Sequence, residues 1–286
     1  MKWGNQRQSE NVEDRRGMSV GRGIGFVGGG IGSVVIVIVA LFLGVDPREL
    51  LQQMPTSSSV APSGAPPQGA PQEDPLKNFV SVVLADTEDT WKELFRAGGR
   101  TYAEPKLVLF SGAVESACGY AEAAVGPFYC PADQKVYIDL SFYRDLRERF
   151  HAPGDFAEAY VIAHEVGHHV QNLLGISNKV QAAQQRASES QAKALSVRME
   201  LQADCLAGVW AHHADRSRHV LEAGDVEEAL NAASQIGDDR MQMRARGYVS
   251  PESFTHGSSQ QRARWFNRGL EAGTTKSCDT FAVAQL

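Results

Sequence analysis

No Cys-x-x-Cys pair and no zinc-finger spacing occurs among the four cysteines, Cys118, Cys130, Cys205 and Cys278, which excludes a structural thiolate zinc site. A dense basic cluster is missing as well. Lys and Arg number 28 against 34 Asp and Glu, a formal net charge of -6. Neutralising a phosphate backbone needs a concentrated positive surface, so nucleic acid is excluded as the main partner. The chain has no internal repeat. What is present suits one well-filled globular unit with appendages: 286 residues, of which 43% are hydrophobic.

Residues 24–45 carry no charged side chain, and at helical rise they are long enough to cross a hydrocarbon core roughly 30 Å thick. They read as one transmembrane helix. Gly25/Gly29 and Gly28/Gly32 stand at G-x-x-x-G spacing within it, which would support a weak homodimer, although glycine is common in such helices in any case. Lys2, Arg7, Arg15, Arg16 and Arg22 precede the stretch and only Arg48 follows closely. The positive-inside bias then places the N-terminus in the cytoplasm and the bulk of the chain outside, in the periplasm or at the cell surface.

From residue 46 to 75 the sequence is dominated by Pro, Ser, Gly, Ala and Gln, a composition that buries too little apolar surface to offset ordering entropy, so it reads as a flexible linker. Beyond it, Phe79, Val83, Trp91, Leu94 and Phe95 recur on one side of a helix over 79–96. Two short strands are expected at Lys106–Phe110 and 135–140, with Cys118 and Cys130 in the Gly/Pro-containing segment between them. Helices are then expected at 142–150, 156–174, 181–214, 226–236 and 258–270. The fold class is therefore α+β, mainly helical with a small sheet.

In His164-Glu165-Val166-Gly167-His168 the two histidines are four apart, about 400° of helical rotation, so both imidazoles leave one face and can reach one Zn²⁺. Glu165, offset by one position, can reach a water without binding the metal and becomes the general base. A core helix with satisfied histidines is the alternative. Apolar Phe156, Tyr160, Val161, Ala163, Val166, Val170 and Leu173 imply burial, where a bare histidine pair is costly without a metal. A catalytic zinc needs a third protein ligand. A metzincin would need Gly at 171 and His at 174, but Gln171 and Leu174 stand there. Glu200-Leu-Gln-Ala-Asp204 puts two carboxylates one helical turn apart, so Glu200 can bind the metal while Asp204 accepts the free N–H of a ligating histidine. Glu189, His212 and His213 are lesser ligand candidates, and His169 points about 100° away from His168.

HEVGHH, ELQADCLAGVW, GPFYCPADQKVYIDLSFY and THGSSQQRARWFNRG together resemble the bacterial putative neutral zinc metallopeptidase family, over nearly the whole chain. That family is similar to the gluzincins. The resemblance implies a zincin-like domain with His164, His168 and Glu200 on Zn²⁺, Asp204 behind them and Glu165 on the water. It also implies a later His or Tyr against the developing oxyanion, for which His256 is the candidate. Ser258 and Gln261 have capping-box spacing just after it, and Arg262 is a further candidate for that duty or for a salt bridge. An extended polypeptide substrate would pair with an edge strand, expected at 136–140.

Four cysteines allow three pairings. Cys118 with Cys130 would close a short loop, and Cys205 with Cys278 would tie the tail to the helix after the metal ligand. The expected organisation is a cytoplasmic segment at 1–23, a transmembrane helix at 24–45, a linker at 46–75 and a zinc metallopeptidase domain at 76–286. The expected activity is that of a membrane-anchored zinc metalloendopeptidase. Two other readings share the site: a non-catalytic, membrane-tethered zinc adaptor or regulator, which would not require Glu165, and a hydrolase of another amide bond.

Overall fold

The computed structural model describes residues 1–18 and 74–286. The expected transmembrane helix with its glycine pairs, and the linker up to residue 73, lie outside the described residues. Among those described, no helix is long and apolar enough to cross a membrane.

Helix α1 (Pro75–Ala97) opens the main body. Asp74 caps it by accepting the Lys77 N–H at 3.0 Å, and Pro75 at its first position needs no donor partner. Its buried face carries Phe79, Val80, Val83, Leu84 and Trp91. A four-stranded sheet follows, in spatial order β1-β2-β6-β5: β1 is Val12–Asp14, β2 Lys106–Phe110, β5 Phe128–Cys130 and β6 Lys135–Asp139. β2 runs parallel to β1 and β6, and β5 is antiparallel to β6. Leu107, Val108, Leu109 and Phe110 of β2 and Val136, Tyr137 and Ile138 of β6 are all buried, the unbroken apolar run of strands covered on both faces. β3 (Ala113–Ser116) and β4 (Gly119–Glu122) form a separate antiparallel hairpin.

Seven further α-helices follow among the described residues: α2 (Ser141–Glu148), α3 (Asp155–Leu173), α4 (Ile176–Gln184), α5 (Glu189–Arg218), α6 (Asp225–Gln235), α7 (Asp238–Arg246) and α8 (Ser259–Ala272). The single helix expected over 181–214 is two. The chain turns after α4, and a capping box between Ser188 and Gln191 starts α5 afresh. Helices α5 and α8 cross in backbone contact. A Cβ on Gly269 would lie 1.9 Å from the Cys205 carbonyl oxygen, and one on Gly208 would lie 2.0 Å from that of Phe266, so only glycine permits this approach. The core holds Trp210, Phe156, Tyr160, Phe266 and Trp265, and both disulfides form as expected, Cys118–Cys130 and Cys205–Cys278.

Two expectations are corrected. The edge strand is not 136–140: β6 is paired on both sides, and β5 holds the edge beside the helical layer. The boundary at 76 also fails, because residues 1–18 belong to the same body. β1 extends the sheet, Val12 facing Leu107 and Asp14 facing Leu109. Ahead of it the chain lies along α1. Ser9 N–H donates to the Ser81 carbonyl at 3.0 Å, Arg7 pairs with Glu88 and Asp89, and Trp3 packs edge-on against Phe79, ring centroids 5.3 Å apart. Met1 is buried in the core, its ammonium 2.5 Å from Asp155 and 3.4 Å from Asp225. A three-residue Val-Glu-Asp strand has no readable period, so only its pairing reveals it.

Candidate metal centre

The centre lies where α3 crosses α5. A Cβ on Gly167 would meet the Ala203 carbonyl oxygen at 3.0 Å and the Ala203 Cα at 3.2 Å. Glycine inside the histidine motif and alanine between the two carboxylates therefore let the helices touch. That contact brings Glu200 to both histidines: its carboxylate oxygens are 3.2 Å from His164 Nε2 and 3.5 Å from His168 Nε2. One donor atom from each of the three residues lies within 4.8 Å of the others.

The opposite ring nitrogens are already taken. His164 Nδ1 donates to Asp204 Oδ1 at 2.8 Å, and His168 Nδ1 donates to Gln171 Oε1 at 2.9 Å. With the Nδ1 proton held in this way, it is Nε2 of each ring that faces Glu200 and would ligate a metal in place of its proton. Gln171 is itself fixed by donating to the Met199 carbonyl at 2.7 Å and to Gln202 at 3.1 Å.

Asp204 is fully buried and saturated with donors. Besides His164 it accepts the Tyr160 hydroxyl at 2.5 Å and Arg262 on both oxygens. Burial would raise its pKa, but Arg262 and His164 hold it down at about 2. Burial likewise opposes ionisation of Glu200, yet the two histidines hold it well below its ordinary value. Glu165 is buried and makes no hydrogen bond or ion pair among the described residues, and burial raises its pKa. Two buried carboxylates, Asp204 and Glu165, and the half-buried Glu200 thus gather around two imidazoles and one guanidinium, a setting in which a divalent cation can take the place of imidazole protons beside Glu200. Two imidazole nitrogens and one carboxylate are the donor set of a catalytic zinc site, whose fourth position water takes, so the residues present fit Zn²⁺.

His256 lies in the loop before α8. Asp238 fixes this loop: its Oδ2 accepts the backbone N–H groups of Thr255, His256 and Gly257 at 2.7, 2.7 and 3.1 Å. Its Oδ1 lies 3.2 Å from His256 Nδ1. His256 and Glu200 lie near enough to influence each other's ionisation.

The expected ligands, general base and carboxylate behind them are therefore gathered in one place. The lesser candidates are elsewhere. His212 and His213 meet the Leu270 and Gly273 carbonyls at 2.7 and 2.8 Å, Glu189 pairs with Lys193 at the surface, and His169 bridges Tyr129 and the Ala103 carbonyl. Arg262 makes the salt bridge. Sequence reasoning missed the polar roles of Tyr160 and Gln171, although Tyr160 stands four residues before His164 and Gln171 three after His168, on the shared helix face. Asp238 carried no signal at all.

The model of the family described as "Putative neutral zinc metallopeptidase" matches residues 1–281. The chain belongs to this family. Among its relatives, the uncharacterized protein YpfJ of Escherichia coli strain K12 is 51% identical over 288 residues, covering 98% of this chain and 99% of that one. The uncharacterized protein Rv2575 of Mycobacterium tuberculosis strain H37Rv is 42% identical over 263 residues, covering 86% of each. No solved structure matches. The family match begins at residue 1 and so takes in the strand β1 that the sheet also includes.

Proposed function

We propose that the chain is a zinc-dependent endopeptidase whose catalytic domain lies in an oxidising, extracytoplasmic compartment and is attached to a membrane through residues 24–45. The observation that carries the peptidase reading is the convergence of His164 Nε2, His168 Nε2 and the Glu200 carboxylate beside a buried Glu165 that has no hydrogen-bond or ion-pair partner among the described residues. Two closed disulfides support the compartment, and the apolar stretch supports the attachment.

His164, His168 and Glu200 would hold Zn²⁺, which when bound supplies a Lewis acid for the scissile carbonyl and lowers the pKa of water. Asp204 and Gln171 keep the two imidazoles in the required tautomer and orientation. Glu165, with a pKa raised by burial, takes the proton of the attacking water and returns it to the departing amine. His256, positioned by Asp238, donates to the substrate oxygen as it gains charge. An extended polypeptide would pair with the outer side of β5. Tyr129 of this strand is tied to α3 by its hydroxyl, 3.0 Å from His169 Nδ1 and 3.1 Å from Asn172 Nδ2.

The test compares the purified full-length chain with Glu165→Gln for zinc content and for cleavage of an unfolded protein. Both are expected to hold one zinc, with cleavage lower in the variant by about 10²- to 10⁴-fold. Zinc without any difference in cleavage would sink the catalytic role.

A further inference from the structure

Residues 1–18 and 74–286 fold as one body, and the chain leaves and re-enters that body at one place. Arg16 makes ion pairs with Asp14 on its own side and with Asp74 on the other, both at 2.6 Å, and Lys77 reaches Asp14 at 3.2 Å. β1 is hydrogen-bonded into the sheet on both flanks of its pairing, Leu107 N–H to the Asn11 carbonyl and Arg15 N–H to the Leu109 carbonyl, each at 2.8 Å. Residues 19–73 therefore connect two neighbouring points of a single folded unit.

A connection that starts and finishes on one body crosses a membrane an even number of times. The sequence supplies apolar residues for one crossing at 24–45, and the Pro/Ser/Gln-rich composition of 46–73 cannot return through hydrocarbon, where every backbone polar group needs an internal partner. The charge bias that would separate the two ends also loses its footing. Arg7, Arg15 and Arg16 are engaged by Glu88, Asp89, Glu13, Asp14 and Asp74 within the folded body.

We infer that residues 1–18 and the catalytic domain lie on the same side of the membrane, with the surface around Met18 and Leu76 facing the lipid. Both side chains are exposed, at 67% and 37%, and they lie beside the two points at which residues 19–73 leave and re-enter the body. Arg15, Arg16 and Lys77 nearby are paired with Glu13, Asp14 and Asp74, so this contact rests on the apolar side chains and not on net charge. Membrane attachment is the part of the proposed function on which this rests. A single-pass anchor with its N-terminus across the membrane from the domain is incompatible with β1 in the sheet.

Cysteines placed singly at Gln8, Glu10 or Glu271 of the full-length chain test the shared side, since the four native cysteines are all in disulfides. A membrane-impermeant maleimide is applied to spheroplasts and to inside-out vesicles, in the Glu165→Gln background, so that the readout is independent of catalysis. Labelling of Gln8→Cys or Glu10→Cys from the same face as Glu271→Cys is expected. Labelling from opposite faces overturns the inference, and the agreement of two arm positions guards against one that fails to fold. A solvatochromic dye on Leu76→Cys is expected to shift to the blue on lipid vesicles while the same dye on Glu271→Cys does not. An unshifted Leu76 probe on membrane-bound protein overturns the lipid-facing surface. Recovery of the full-length chain only in the soluble fraction removes membrane attachment itself, and with it this inference, while leaving the peptidase reading standing.

Discussion

Arg262 grips Asp204 with a two-pronged contact, Nε to Oδ2 and Nη2 to Oδ1, each 2.9 Å long, and both side chains are buried. The pair sits directly behind His164. Arg262→Met removes the guanidinium from the buried Asp204 and leaves it only Tyr160 and His164, at a cost of up to about 3–5 kcal/mol. At roughly 2–4 °C per kcal/mol for a domain of this size, differential scanning calorimetry should show a clear fall in Tm. An unchanged Tm would mean that Asp204 finds another partner.

Asp204 should act on the metal through His164. Asp204→Asn keeps the shape but weakens the acceptor for His164 Nδ1, so zinc affinity is expected to fall about 10- to 100-fold. Competition with a chromophoric chelator measures this. Glu200→Ala, which removes a ligand, should purify without stoichiometric zinc.

His256 should matter to turnover more than to binding. His256→Ala is expected to lower kcat by about 10²- to 10³-fold, the usual cost of one oxyanion donor, with KM little changed. Asp238→Asn should move the same parameter in the same direction, because Asp238 positions the imidazole and the backbone that carries it. A change in KM alone for either variant would assign His256 to substrate binding.

The docked N-terminal arm should respond to acid. Glu13 accepts from Lys135 at 2.9 Å and from Arg15 at 2.6 Å. Burial alone would raise its pKa, but these partners hold it at about 2, below the ordinary 4.5. A carboxylate with a depressed folded-state pKa contributes stability above its unfolded pKa and loses it as pH falls through the folded one. Docking should therefore be constant above pH 4.5 and weaken between 4.5 and about 2. Hydrogen exchange at the β1 amides, corrected for intrinsic rate, reads this, and Glu13→Gln should flatten the profile.

Much of the centre could be read from local spacing. His164 and His168 share a face because they stand four apart on a helix, Glu200 and Asp204 for the same reason, and helical periodicity needs no knowledge of the rest of the chain. The two helices α3 and α5 were legible for that reason, as were the apolar strands β2 and β6. The three-residue strands β1 and β5 were not. Val-Glu-Asp and Phe-Tyr-Cys are too short to show alternation, and a strand of that length exists only because a neighbour supplies its hydrogen bonds. The edge strand was consequently misplaced by one position in the sheet.

By itself, then, the sequence determined which residues could bind a divalent metal and activate water: donor type and helical register are local properties. Tertiary structure alone decided that His164 and Glu200 meet, through the Gly167–Ala203 contact, that Arg262 neutralises Asp204 from a third helix, and that Asp238 holds His256. It also decided that the first residues join the sheet they precede by some ninety positions. Each of these is a contact between segments far apart in the chain, and closing such loops is settled by the packing of the whole core rather than by any residue's neighbours.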